Sequence, residues 1–441
     1  MIVRKFGGTS VGSPDRMKQV AEIINDGQKQ MVVLSAISGI TNKLVNISNM
    51  LYNKEYEIAR SEIARMELFY LDFANTLLAN IEIRDEAYKV IEIRKNYLLS
   101  FIEKMYNILQ EKALLSDGEI VSTAFFDLYL QEKNLKSKQI SALSFMRIDK
   151  NLEPDEFYIL ENLKREIQNY PQDKIFITQG YICRNAFGEI DNLKRGGSDY
   201  SATLIGAAIK SERVEIWTDI DGIHNNDPRF VKDTKSINNL SFEEAAELAY
   251  FGAKILHPAA LLPAKKNDIK VLLKNTLEIK AKGTLISNIH NIEGIKAVAA
   301  KDGITMIRIH SGRMLNAYGF LRKVFEVFEI YKTPIDMIST SEVSIAVTID
   351  DNKFLKEIVK DLRRFCEVDI EKGQTIIAIV GLMRKNKKGY AAKVFDSLNN
   401  IAVKMISYGA SDHNISLLID GKKKIEALQL LQSSILSKNN L

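Results

Sequence analysis

Residues 2–36 read IVRKFGGTSVGSPDRMKQVAEIINDGQKQMVVLSA. Two short, β-branched apolar runs, 2–6 and 31–36, flank a stretch in which Met17, Val20, Ile23 and Ile24 recur at helical spacing. The order strand, loop, helix, strand predicts a parallel sheet, because parallel neighbours need a crossover to bring the chain back to the same end. The alternation continues outward from this segment. Residues 54–112 are charged and almost free of Gly and Pro, so they predict helices. Strand-like runs follow at 138–143, 174–178, 213–218 and 269–273, separated by helical runs at 156–168, 198–211 and 241–251. One large α/β domain up to about residue 285 is the expected architecture.

A chain of 441 residues has room for further domains. Its 46% hydrophobic and 27% charged residues are ordinary globular values, which excludes a disordered or fibrous protein. A net charge of +5, from 61 basic and 56 acidic residues, falls far short of a nucleic-acid binder's footprint. The opening MIVRKFGGTS lacks the apolar stretch and cleavage site of a secretory signal. No run approaches the ~18 apolar residues of a membrane span. Two distant cysteines, Cys183 and Cys366, exclude a disulfide framework and a Cys-based zinc site by count. A soluble, reducing, cytoplasmic setting is expected.

Residues 280–294 carry weak periodicity and hold a domain boundary in this reading. Beyond them a pattern repeats at a period near 70 residues. Leu321, Val324, Phe325 and Phe328 are echoed by Ala391, Val394, Phe395 and Leu398, with Gly319 and Gly389 ahead of each helix. Alternating strands at 344–350 and 414–420 follow, then amphipathic stretches near 353–365 and 423–436. Both copies read strand-helix-strand-strand-helix, a split βαβ arrangement with its helices on one sheet face and with exposed edges that favour pairing.

The candidate chemistry lies in the first domain. Lys5-Phe6-Gly7-Gly8-Thr9-Ser10 closes a strand ahead of a helix. Adjacent glycines let backbone N–H groups approach an anion without a Cβ between, the helix start adds partial positive charge, and Lys5 adds a full one. The Lys precedes the glycines, so this is not a Walker A loop. Arg195-Gly196-Gly197-Ser198-Asp199 opens an Ala-rich helix and makes a second such turn. There Arg195 can grip a carboxylate bidentately, and Asp199 can hold an ammonium or a magnesium ion, against a plain alternative in which Ser198 or Asp199 merely caps the helix. Thr218 and Asp219 follow a strand, at the carboxyl end where α/β sheets place ligands. Lys254 follows a helix end and can reach a triphosphate, whereas His257 before Pro258 reads as structural. Glu119, at a helix start, can hold a substrate amine or simply complement the helix dipole. Two anion turns, several cations, spare carboxylates and no nucleophile–base pair are the inventory of phosphoryl transfer, which needs positioning and charge neutralisation. A carboxylate acceptor, already ionised at neutral pH, needs no general base.

KFGGTSVG (5–12), VLSAISGITNKL (33–44), KRGGSDYSA (194–202), WTDIDG with NDPR (217–229) and FGAKILHPAA (251–260) resemble the aspartate kinases of the amino-acid kinase superfamily. The tail repeat resembles that family's paired ACT domains. The resemblance implies an αβα sandwich with a mainly parallel sheet over 1–290, then two ferredoxin-like βαββαβ ACT domains at 303–370 and 373–441, with strand 293–300 joining the second. It implies ATP-dependent phosphorylation of the L-aspartate side chain to 4-phospho-L-aspartate, the first step towards lysine, methionine and threonine. Lys5, Gly7, Gly8 and Asp199 would then be catalytic, and Ser35, Thr41, Glu119, Tyr181, Arg195 and Ser198 would line the aspartate site. Lys5, Thr218, Asp219, His224, Arg229 and Lys254 would hold ATP, with Mg2+ carried mainly by the nucleotide rather than by His or Cys. Met314, Gly319, Leu321, Asp336, Thr340, Ser341 and Glu342 resemble the positions that bind lysine in lysine-sensitive members, which implies feedback inhibition by lysine and a homodimer through the ACT domains. The chain departs from the family pattern at His224, often Tyr, at Lys194, usually Gly, and at Asp191 and Asn192, usually Thr. A sensing protein with an inactive kinase domain, and a related kinase acting on glutamate or a nucleoside monophosphate, are the rival readings. Intact Lys5, Arg195, Asp199 and Lys254 disfavour the first, and the ACT tail disfavours the second.

Overall fold

The computed structural model describes residues 1–193, 196–252, 256–289, 293–311, 318–384 and 388–437. The chain forms two compact units. The first comprises Met1–Ile223, Asn238–Phe242 and Leu256–Asn288, and the second His224–Ile237, Glu243–Ile255 and Ile289–Leu441.

The first part of the chain runs β1 (Ile2–Phe6), α1 (Pro14–Ile24), β2 (Gln30–Leu34), α2 (Ile40–Tyr52), α3 (Tyr56–Leu77), α4 (Ile81–Leu99), α5 (Ile108–Leu115) and α6 (Asp117–Glu132). Next come β3 (Ser137–Gln139), α7 (Ala142–Phe145), α8 (Glu156–Gln168), β4 (Ile175–Gln179), the hairpin β5 (Ile182–Arg184) and β6 (Ile190–Asn192), α9 (Gly197–Ala208), β7 (Arg213–Thr218) and β8 (Asn239–Ser241). Helices α10 (Phe242–Phe251) and α11 (Pro258–Lys266) and strands β9 (Lys270–Asn275) and β10 (Thr284–Ser287) follow.

Eight of these strands form one sheet, ordered β3-β4-β2-β1-β7-β9-β10-β8, and every neighbouring pair is parallel except β9–β10. The central strands are buried on both faces, which is why they read as unbroken apolar runs rather than as an alternation. Phe6, Val32, Leu34 and Ile177 pack into the core built with α1 to α6. The strand residues between them turn to the opposite face, which α9 covers. The outcome is the αβα sandwich. Ser13 caps α1 by accepting the Arg16 amide, with Pro14 at the first turn, the arrangement that starts a helix cleanly.

The strand-like run at 138–143 is only half strand. The ladder stops at Gln139, and the Ala142 amide instead donates to the Gln179 side chain at 2.8 Å, which starts α7. The boundary stretch 280–294 contributes β10 to the first sheet before the chain passes to the second unit.

The second unit adds β11 (Gly294–His310), α12 (Phe320–Ile330), β12 (Ile338–Thr340), β13 (Ser344–Ile349), α13 (Leu355–Leu362), β14 (Glu367–Leu382), α14 (Tyr390–Ser397), β15 (Val403–Ser407), β16 (Asn414–Asp420) and α15 (Lys424–Leu431). They form one antiparallel sheet, β12-β13-β11-β14-β16-β15. The long strands β11 and β14 each serve both halves. Residues 305–310 of β11 pair with β13, whereas 294–301 pair with the stretch of β14 that also carries β16. The two halves keep separate cores, one around Val324, Phe328 and Ile358, the other around Ile377, Val394 and Leu428. In α12 the buried face is Phe320, Val324, Val327 and Phe328, while Leu321 is 42% exposed, so the apolar stripe starts one residue earlier than its spacing suggests.

Candidate active site

The register of the first sheet brings four strand ends level. Phe6 lies opposite both Leu34 and Trp217, and Leu34 lies opposite Gln179. The loops leaving β1, β2, β4 and β7 therefore open at one edge, where a doubly wound sheet presents ligands. A cleft of about 500 Å³ lies there. Gly7, Gly8, Ser35, Thr41, Glu119, Tyr181, Ser198, Thr218 and Asp219 all line it.

After β1 the chain turns at Gly7, whose amide donates to the Trp217 carbonyl at 3.1 Å. A Cβ on Gly8 would sit 2.9 Å from the Ala36 carbonyl oxygen, so the close packing of two loops excludes any side chain at that position. Lys5, at the penultimate position of β1, is largely buried, and its Nζ lies 2.7 Å from Asp199 Oδ1 in the first turn of α9.

The second glycine turn caps α9 with backbone alone. Gly196 is the N-cap at φ +74°, and no side chain caps the helix, so neither Ser198 nor Asp199 is spent on capping. Both face other partners instead: Ser35 Oγ donates to Ser198 Oγ at 2.9 Å, and Asp199 meets Lys5. Arg195 and Lys254 lie outside the described residues. Gly180, which the sequence reading passes over, supports this corner. A Cβ there would fall 2.4 Å from the Ser198 side chain. Its signal was a lone Gly directly after an apolar strand.

Glu119 lies in the first turn of α6 and is 4% exposed. Gly118 lets that turn press against Ala36, since a Cβ would fall 2.7 Å from the Ala36 Cβ. Burial pushes the Glu119 carboxyl up to about 8, against a smaller downward pull from the backbone amides of Glu119 and Ala36. Its Oε2 has no hydrogen-bond partner among the described residues. A buried carboxylate with one oxygen left unpartnered, in a ligand-sized cleft, is suited to an ammonium group. The neighbouring Asp117 is fully buried and pairs with Arg94 of α4 at 2.5 Å; burial raises its carboxyl to about 6 even so. Tyr181 adopts φ +68°, a strained conformation for a non-glycine residue, and burial lifts its phenol to about 12, with Glu119 adding to the rise.

An amino acid kinase family model matches residues 1–275, and an ACT domain model matches 377–435. Lysine-sensitive aspartokinase 3 of Escherichia coli is 34% identical over 99% of both chains. Chloroplastic aspartokinase 1 of Arabidopsis thaliana is 31% identical over 100% of this chain and 81% of its own. The chain belongs to the aspartokinase family. The crystal structure of E. coli aspartokinase III with aspartate and ADP, an R-state, superposes with a TM-score of 0.84 at 34% identity over 98% of this chain and 99% of that one. The T-state of the same enzyme, with lysine and aspartate, gives 0.83 at 33% identity over 99% of both chains.

His224, Arg229 and the ACT-region positions belong to the second unit of this aspartokinase, and His257 to the first. His224 bonds Thr234 across 3.0 Å, and Arg229 is exposed and paired with Asp227 at 2.6 Å, whereas Thr218 and Asp219 belong to the first unit. His257 caps α11 by accepting the Ala259 amide, a structural role as its sequence context suggests. In the ACT region Asp336 has a buried side chain, with Lys301 Nζ at 2.7 Å and the Tyr250 hydroxyl donating to it at 2.6 Å. Gly319 is the left-handed N-cap of α12, while Thr340, Ser341 and Glu342 are exposed. Met314 lies outside the described residues.

Proposed function

We propose that this aspartokinase transfers the γ-phosphoryl group of ATP to the side-chain carboxylate of L-aspartate, releasing ADP and 4-phospho-L-aspartate. The observation that carries this reading is a single cleft bounded by two glycine turns, with the Lys5–Asp199 pair between them and the buried Glu119 carboxylate at its side. The aspartate and ADP bound in the crystal structure of E. coli aspartokinase III support it.

In this reading the Gly7 and Gly8 turn, the start of α9 and Lys5 hold the migrating phosphoryl group and neutralise the charge that spreads over its oxygens. Asp199 aims Lys5. Glu119 receives the ammonium of aspartate, and Arg195, Ser198, Ser35, Thr41 and Tyr181 hold its carboxylates. Thr218 and Asp219, in the same cleft, hold the nucleotide. The first glycine turn can pack this closely beside Lys5 and the loop after β2 because Gly8 lacks a Cβ, which would collide with the Ala36 carbonyl. Mg2+ supplies charge neutralisation on the phosphates when bound; with Asp199 committed to Lys5, the nucleotide carries most of its ligands. The acceptor is an oxygen anion already, so no residue is needed as a base.

The ACT unit is the regulatory part, with lysine as the effector, and the enzyme works as a homodimer in the cytoplasm. No helix among the described residues is long and apolar enough to cross a membrane. Trapping the acyl phosphate with hydroxylamine tests the activity: aspartate with ATP yields hydroxamate, glutamate does not, and added lysine suppresses the yield. Equal yields from aspartate and glutamate would defeat the substrate assignment.

A further inference from the structure

The hairpin β5–β6 is tied at its base to two parts of the cleft. On one side the Tyr181 amide donates to Ser201 Oγ of α9 at 2.8 Å, and the Leu193 amide donates to the Tyr181 carbonyl at 2.8 Å. On the other side the last residues of β6 reach the junction of α5 and α6. Asp191, with a side chain 1% exposed, pairs with Lys112 Nζ at 2.5 Å. Asn192 Nδ2 donates to Ser116 Oγ at 3.0 Å and to the Lys112 carbonyl at 3.3 Å. Ser116 is fully buried and stands directly before α6, whose first turn carries Glu119. Asp191 Oδ1 also accepts the Asn192 backbone amide at 2.7 Å, which ties the Asp191 side chain to the backbone of its neighbour.

This geometry joins two elements that otherwise have no covalent neighbourhood. In the sequence, Leu193 stands four positions before Gly197, the first residue of α9. Before Glu119 it comes directly from Lys112 and Ser116. A buried ion pair with extra hydrogen bonds is rigid because any displacement leaves a charge unpaired away from water. We propose that Asp191 and Asn192 are positioning residues for the acceptor amino acid: through Lys112 and Ser116 they hold Glu119 at a set distance from the start of α9. A ligand carrying an ammonium and a carboxylate on one carbon demands that spacing, whereas the nucleotide, assigned to Thr218 and Asp219 at the end of β7, lies outside this link. The inference rests on the aspartate-kinase reading and assigns these residues no contact with the reacting atoms.

The test is steady-state kinetics of full-length Asn192→Ala, Asp191→Asn and Asp191→Glu variants, varying aspartate and ATP separately, with melting temperatures alongside. Asn192→Ala raises the KM for aspartate by about tenfold while the KM for ATP stays within about twofold and kcat changes little, since a small misplacement penalises acceptor capture. Asp191→Asn does the same more strongly, and Asp191→Glu, which keeps the anion for Lys112, recovers most of the loss. Should Asp191→Asn fail to fold, Asn192→Ala, which removes two hydrogen bonds and no charge, decides the matter. An unchanged KM for aspartate in folded variants overturns the proposal. So does a parallel rise in both KM values together with a lower melting temperature, the mark of general loosening. If the wild-type chain itself fails with aspartate, the functional reading falls and takes this inference with it; if it turns over normally, only the inference is at stake.

Discussion

Glu119 shows how one residue trades stability for binding. Its carboxyl rises from the usual 4.5 to about 8 because burial disfavours the charged form. The folded protein therefore holds the proton that the unfolded chain has released, and the stability this confers is present in full below pH 4.5 and drains away up to about pH 8. Glu119→Gln removes the ionisation. Its melting temperature, measured without ligands, should exceed that of wild type by a margin that widens from pH 5 to pH 8, while its KM for aspartate rises at least about tenfold. For the wild type, an incoming ammonium must meet the ionised form, so the KM for aspartate falls as pH climbs towards 8 and then levels. A flat KM across that range would remove Glu119 from the amine site.

Lys5 belongs to the same scale. It forms a largely buried pair with Asp199, and the proposed reaction has its Nζ neutralise the phosphoryl group. Lys5→Met should lower kcat by about 10²–10³, the size found when one preorganised donor to a charged transition state is removed. Circular dichroism should show the variant folded. Normal turnover in that variant would end the cationic-cradle account.

At the level of elements, the start of α6 gathers Ser116, its N-cap, with Asp117 and Glu119 of its first turn. Asp117 is fully buried and its charge is met by Arg94 from α4. Replacing Arg94 with Met strands that carboxylate, and equilibrium denaturation should register a loss of about 3–5 kcal/mol. A loss near zero would mean that the α4–α6 link is incidental. The helical excursion α3–α4 was readable from its charged, Gly- and Pro-free sequence. Its service to the site was not, because the Arg94–Asp117 contact depends on how two helices pack and not on the periodicity of either.

At the level of the whole molecule, the tail repeat is a sequence duplication that the fold merges into one sheet. Residues 294–301, which precede the repeat, pair with β14 and complete the half built from the second copy. A fragment spanning 293–437 should melt cooperatively and at a higher temperature than one spanning 303–437, whose β14 has lost a neighbour along 376–382. Identical melting curves would show that this strand is dispensable.

The amino-acid sequence by itself determined the parallel α/β character of the first part, the two glycine turns and the duplicated tail. Those features rest on periodicity and on residues a few positions apart, where propensity and sterics act locally. Only the tertiary structure decided that Lys5 would face Asp199, that Glu119 would be buried and Asp191 tied to Lys112, and that β11 would serve both halves of the second sheet. Burial, ionisation and strand register depend on partners distant in the chain, and those partners meet only when the layers close.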